Sequence, residues 1–113
     1  MIEAVYHKRY CRLRVTGHAH SAEAGHDLVC AGASTLAVTL ATNVRFMAEM
    51  GYVRQPIIEL ESGEALIQCS PVPKYRRSVE QVFNSLCVGF EALGKQYPEY
   101  IRYEVRGAHW ERF

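Results

Sequence analysis

The sequence predicts an α+β domain in which two helices pack on a mostly antiparallel sheet of about five strands. Three observations lead there. Short stretches alternate apolar and polar residues, two longer stretches repeat apolar residues at helical spacing, and these segments follow one another as ββ-α-ββ-α-β. Burying helices against such a sheet gives a two-layer or sandwiched domain. The 113 residues suffice for one domain, residues 1–113, and a hydrophobic content of 49% supplies a core.

Residues 2–6 (Ile-Glu-Ala-Val-Tyr) read as a first short strand, followed by a turn at His7-Lys8-Arg9 that lacks the usual Gly or Asn. Residues 10–17 alternate, with Cys11, Leu13 and Val15 on one face and Arg12, Arg14 and Thr16 on the other. The small and polar run between Gly17 and Gly25 reads as a loop with a glycine hinge at each end. From Asp27 as N-cap to about Met50, with Gly51 as the stop, the chain is helical. Apolar residues surround its first four turns, so it is expected to be central and covered on most faces. Ala31, Gly32, Ala33, Ala37 and Ala41 would let another backbone come close.

Ile57–Glu61 and Ala65–Cys69 read as a hairpin around Ser62-Gly63-Glu64, and Ser70-Pro71-Val72-Pro73 ends it. Ser78 and Gln81 have capping-box spacing. Val79, Val82, Phe83, Leu86, Cys87, Phe90 and Leu93 then draw one helical stripe, closed by Gly94 and Tyr97-Pro98. Ile101, Tyr103 and Val105 alternate with Arg102, Glu104 and Arg106 in a last strand.

A formal charge of +1 argues against a dedicated nucleic-acid binder. The two basic clusters, around Lys8-Arg9 with Arg12 and Arg14 and at Lys74–Arg77, read as solvated faces. Glu3 and His7 interrupt any apolar run near Met1, so no export signal is expected there. Leu28–Val44 is short of a bilayer span and broken by Ser, Thr and Asn, so it reads as a core helix rather than a membrane segment. A cytoplasmic location follows as an expectation. The four cysteines, none in a CxxC pair, are then expected to be thiols.

The chemistry concentrates between Gly17 and Ser34. With Asp27 as the cap, Cys30 falls in the first helical turn, where unpaired amides and the helix dipole stabilise a thiolate and could hold an oxyanion. His18 ends a strand about ten residues earlier and is the type of side chain that serves as base. By spacing alone, however, a cysteine at a buried helix start is more often a small packed residue than a nucleophile. A zinc site from His18, His20, His26 and Cys30 is a further alternative, weakened because Gly25 and Asp27 look built for a helix start.

Gly17-His18-Ala19, followed by Gly25-His26-Asp27-Leu28-Val29-Cys30-Ala31-Gly32-Ala33-Ser34, closely resembles the signature of the ribosomal-processing cysteine protease family, and Gly94–Ile101 resembles its region after the second helix. The resemblance implies a bacterial cysteine endopeptidase that removes the N-terminal extension of a large-subunit ribosomal protein, the twenty-seventh. It also implies a homodimer. Neither a cofactor nor a metal is expected, and the charge argues against a direct nucleic-acid partner. The resemblance places the nucleophile at Cys30 and the base at His18, with Asp27 and Ser34 beside them in supporting or substrate-contacting roles. Asp27 either caps the helix alone or also orients His18, and Ser34 lies one turn beyond Cys30 on its face. The loop hinged at Gly17 and Gly25 would then act as a lid. The rival expectation is a non-catalytic module binding the ribosome or another protein. The tail Gly107–Phe113 has no counterpart in the family pattern.

Overall fold

The computed structural model describes residues 1–17 and 24–107, with the backbone alone at 24–26. Its elements are β1 (Ile2–His7), β2 (Arg12–Thr16), α1 (Ala24–Glu49), β3 (Val53–Glu61), β4 (Glu64–Pro71), α2 (Arg76–Gln96) and β5 (Ile101–Arg106). The expected order of strands and helices holds. The strands form one sheet in the order β3-β4-β2-β1-β5, antiparallel throughout except for the β1–β5 pair.

Register explains which face is buried. Ile58, Ile67, Leu13 and Tyr6 are successive cross-strand partners and line the helix-covered face. Glu59, Leu66, Arg14 and Val5 form the neighbouring row, pointing the other way as the two-residue strand period requires. On that open face, Arg14 pairs with Glu64 and Arg102 lies 3.9 Å from Glu3. Both helices occupy the opposite face, α1 over β3 and β4 and α2 over β5, which makes the domain two-layered.

Large aromatic side chains fill the core under α2. Phe83 is fully buried with its ring 5.9 Å from that of Tyr6, and Phe90 lies 6.5 Å from Tyr103. Burying side chains of this size stabilises by about 1.5–3 kcal/mol each. The Tyr6 hydroxyl is buried with no partner among the described residues, so the ring's packing outweighs an unmade hydrogen bond. The helices meet where Gly89 faces Leu36, since a Cβ there would sit 2.6 Å from a Leu36 methyl.

Several sequence expectations shift. The expected coverage of α1 on most faces is not found. Val29, Ala33, Ala37, Leu40, Ala41, Val44 and Met47 are buried, whereas Leu28, Val38, Phe46 and Met50 are exposed. One helix layer lies on the sheet and nothing described lies outside it. By length and composition, residues 27–49 would pass for a membrane span; here one side of the helix packs on the sheet. The hydroxyls of Thr35, Thr39 and Thr42 donate to carbonyls one turn back, which lets polar residues sit in the helix exterior.

Helix α1 begins at Ala24, so Asp27 lies inside its first turn rather than at the cap. Gly25, expected at the end of a loop, is the second residue of this helix. The acidic side chain remains favourable there, because charge near the N-terminus is rewarded throughout the first turn. Likewise α2 begins at Arg76 with Tyr75 as cap, and Ser78 makes no cap. A 3-10 turn at Pro73–Tyr75 feeds the helix early, and Tyr75 is fixed by its ring 4.4 Å from Tyr52. The helix also passes Gly94 to end at Gln96, with the Tyr97 amide donating to Leu93.

The first hairpin turns through a 3-10 segment at Lys8–Tyr10, with buried Cys11 taking the left-handed conformation that glycine more commonly adopts. Strand β3 starts four residues earlier than expected, crossing Pro56 by an irregularity between Arg54 and Ile57. Proline cannot donate to a ladder, and an edge strand with a bulge is where it is tolerated.

Candidate active site

Strand β2 ends at Thr16, opposite Glu64 at the start of β4, and this register brings the β3–β4 hairpin beside Gly17. The Gly17 amide donates to the Gly63 carbonyl at 3.0 Å, fastening the two turns together. Helix α1 passes alongside. Between helix and hairpin lies a cleft of about 340 Å³, bordered by Cys30, Ser34 and Val38 of α1, Ile2 and Val15 of the sheet, Gly17, and Leu60–Ala65. That volume suits a side chain or a short piece of extended peptide.

Cys30, Ser34 and Val38 recur every fourth residue and so line one helix face, as the spacing of Cys30 and Ser34 predicts. Cys30 is half-buried and Ser34 is exposed. The cleft's walls are mixed. Ile2, Val15, Ala33 and Ala37 are apolar, while Glu61, Ser62 and Glu64 make the hairpin side polar and acidic. Glu64 is engaged by Arg14.

The four cysteines divide sharply. Cys11, Cys69 and Cys87 are buried thiols, and burial pushes them up to about 11, 12 and 12 respectively. For Cys69 the nearby Cys11 adds to the rise, and for Cys87 a hydrogen bond with Tyr103 partly offsets it. These three are core residues that cannot readily form a thiolate. Cys30 alone among the cysteines borders the cleft.

Because α1 starts at Ala24, Cys30 stands in the second turn rather than the first. Its own amide is therefore within the reach of intrahelical bonding, and the unpaired amides belong to residues nearer Ala24. The dipole's effect fades beyond the first turn, so the environment of the cleft matters more to this thiol than the sequence spacing implied.

His18, His20 and the loop at 18–23 lie outside the described residues, as do the side chain of His26 and the tail at 108–113. Gly17, the last described residue before that stretch, borders the cleft. Among the described residues no three His, Cys, Asp or Glu side chains gather as metal ligands. Sequence reasoning missed the hairpin wall at Leu60–Ala65 and the floor at Ile2 and Val15. The hairpin itself was legible, but its closure onto α1 depends on β4 lying next to β2.

A half-buried thiol on the wall of a cleft that suits a short piece of extended peptide is an arrangement compatible with a cysteine peptidase. A sequence profile of the cysteine protease Prp family matches residues 1–102, and the chain belongs to that family. No curated protein sequence matches it. Among solved structures it is similar to SMU.848 of Streptococcus mutans, at 24% identity and a TM-score of 0.68, covering 94% of each chain. It is also similar to the essential ribosomal processing protease Prp of S. aureus with a covalently linked product peptide, at 21% identity and a TM-score of 0.67, covering 93% of this chain and 97% of that one. The same S. aureus protease with a substrate peptide matches at 19% identity and a TM-score of 0.64, again over 93% and 97%. These likenesses show a shared fold.

Proposed function

We propose that this protein is a cytoplasmic bacterial endopeptidase that removes the N-terminal extension of a large-subunit ribosomal protein, the twenty-seventh, in support of ribosome assembly. The observation that carries the proposal is the placement of Cys30: the other three thiols are sealed in the core, and this one borders the cleft. Membership of the cysteine protease Prp family supports the reaction class. The S. aureus relative crystallised with a covalently linked product peptide supports a thiol that bonds to peptide during turnover.

In this mechanism Cys30 as thiolate attacks the scissile carbonyl to form a tetrahedral intermediate. Collapse expels the amine of the downstream product and leaves an acyl-enzyme, which water then hydrolyses to free the acid and restore the thiol. His18 accepts the thiol proton, gives it to the leaving amine, and takes a proton from the attacking water. Gly17 brings the chain to the cleft one residue before His18, which supports that assignment. Ser34, exposed one turn from Cys30, contacts substrate, and Asp27 in the first turn biases the helix start electrostatically. The protein acts as a homodimer.

The test is incubation of wild-type protein and Cys30→Ala with an N-terminally extended ribosomal protein under reducing conditions, read by mass spectrometry. Wild type should shorten the substrate at one site and Cys30→Ala should leave it intact. An untouched substrate with wild type, or cleavage retained by Cys30→Ala, overturns the proposal. Binding of the ribosomal protein without cleavage would mark a non-catalytic module instead.

A further inference from the structure

The two edges of the sheet are built differently. The strand order leaves β3 and β5 with a neighbour on one side only. An open row of amides and carbonyls invites another strand, and folded proteins guard against it with prolines, bulges and charges. Strand β3 is guarded in this way, carrying Pro56 and the irregularity between Arg54 and Ile57. Strand β5 holds no proline, and its register with β1 is unbroken from Ile101 to Arg106. A groove of about 600 Å³ lies beside it, bordered by Gly94, Lys95 and Pro98 and by Ile101, Tyr103 and Val105.

The ladder shows which backbone groups face outward. Ile2 partners Ile101, and its amide donates to the Tyr100 carbonyl at 2.8 Å. In a parallel pair every second residue of a strand bonds to the same neighbour. Arg102 and Glu104 therefore bond to β1, while the amides and carbonyls of Ile101, Tyr103 and Val105 point to the free edge. The Ile101 amide is taken by the Tyr97 carbonyl at 3.2 Å. Both groups of Tyr103 and Val105, and the Ile101 carbonyl, have no backbone partner among the described residues. Side chains alternate as well. Ile101 is buried and Tyr103 packs on Phe90 under α2, whereas Arg102 and Glu104 are exposed on the open face.

An antiparallel two-fold at Tyr103 makes this edge complementary to itself. We propose that β5 pairs with β5 of a second copy of this chain about that axis, joining the two sheets into one. Each Arg102 then stands opposite the partner's Glu104, in the closer, non-hydrogen-bonded position. Each Val105, 36% exposed in the single chain, stands opposite the partner's Ile101. Tyr103 exchanges amide and carbonyl bonds with the partner's Tyr103, and the Val105 amide donates to the carbonyl of the partner's Ile101. Other registers fit less well. A two-fold at Arg102 or at Glu104 sets like charges face to face, which destabilises. One at Val105 offers Glu104 only a second Arg106 beside the one it already holds at 3.1 Å, and leaves Ile101 unpaired. An unrelated strand could use the backbone groups without matching the alternation of charge, so self-complementarity favours a second copy. This specifies the interface of the homodimer proposed above and rests on that reading. The β3–β4 hairpin that borders the cleft lies at the opposite edge of the sheet, so each copy keeps an open cleft.

The test measures the mass of the whole protein by sedimentation equilibrium across a concentration series. Wild type should dimerise. Arg102→Glu sets like charges opposite each other on both sides of the axis and should weaken dimerisation about tenfold or more. Adding Glu104→Arg exchanges the charges and should restore it to within about threefold. Val105→Pro removes an outward amide, spares the bonds to β1, and should also weaken dimerisation. Arg102 is exposed, and thermal melts confirm that each variant is folded. Wild type that stays monomeric overturns the proposal together with the homodimer itself. A dimer that Arg102→Glu leaves within about twofold, or that the charge exchange fails to restore, overturns the interface alone. Loss of the dimer in Phe46→Glu but not in Arg102→Glu would place it on the outer face of α1 instead. The β5 variants should still cleave the ribosomal substrate. Wild type that dimerises without cleaving would refute the peptidase and leave this interface standing.

Discussion

Replacing Gly17 by alanine places one methyl group where backbone already stands. The residue has φ +116, and a Cβ there would lie 2.2 Å from the Met1 carbonyl oxygen and 3.0 Å from the Ile2 Cα. Strain at such a conformation costs about 1–3 kcal/mol for an L-residue. The clash is relieved only by moving the start of β1, where the Ile2 amide donates to Tyr100 at 2.8 Å and the Ile2 side chain is 4% exposed. Losing that hydrogen bond and part of that burial adds about 2 kcal/mol. Gly17→Ala should therefore destabilise by about 3–5 kcal/mol. Gly51→Ala is the matched control: φ is +78 there and nothing lies within 4 Å of the added Cβ, so strain alone should cost about 1 kcal/mol. Urea unfolding of both variants with equal m-values makes the comparison. Because Gly17 borders the cleft and directly precedes His18, kcat/KM should fall in Gly17→Ala and stay unchanged in Gly51→Ala. Equal stability losses to within 0.5 kcal/mol would refute the steric argument.

Brief alkylation with iodoacetamide at pH 8 should label Cys30 well ahead of Cys11, Cys69 and Cys87, read by peptide mass mapping; comparable labelling of the buried three would contradict their placement. Those three thiols also make the fold sensitive to alkali. Their folded values near 11 to 12 lie above the unfolded value of 9.0, so the unfolded chain loses protons first and stability falls as pH rises from about 9. Chemical unfolding at pH 8 and pH 10 should differ by about 1 kcal/mol per thiol, and a flat profile would remove the effect. Phe83→Ala, deleting a fully buried ring stacked on Tyr6, should cost about 3–5 kcal/mol by the same assay.

The order ββ-α-ββ-α-β, the hairpin at Ser62-Gly63 and the stripe Val79 to Leu93 were legible because periodicity is a local property of the chain. Element ends were read less well. Asp27, Ser78 and Gly94 all carry strong capping or stopping chemistry, yet each lies within a helix. Contacts from outside the segment, such as Tyr75 against Tyr52, decide where a helix starts, and propensity alone does not contain them. The expected enclosure of α1 failed for a similar reason. An apolar surround says that a helix can be buried on every side, and only the number of layers says whether it is.

By itself the sequence determined the fold class, the chemistry-bearing stretch from Gly17 to Ser34 and, through that stretch, the family. The tertiary structure decided what stands around it. Pairing β4 with β2 put the Leu60–Ala65 hairpin opposite Cys30 and made a cleft, while pairing β1 with both β2 and β5 put Arg12 and Arg106 around His7. Neither neighbourhood is encoded in any short window. Strand order follows from how the whole chain buries its apolar faces at once, so residues distant in sequence become a site only when the sheet is assembled.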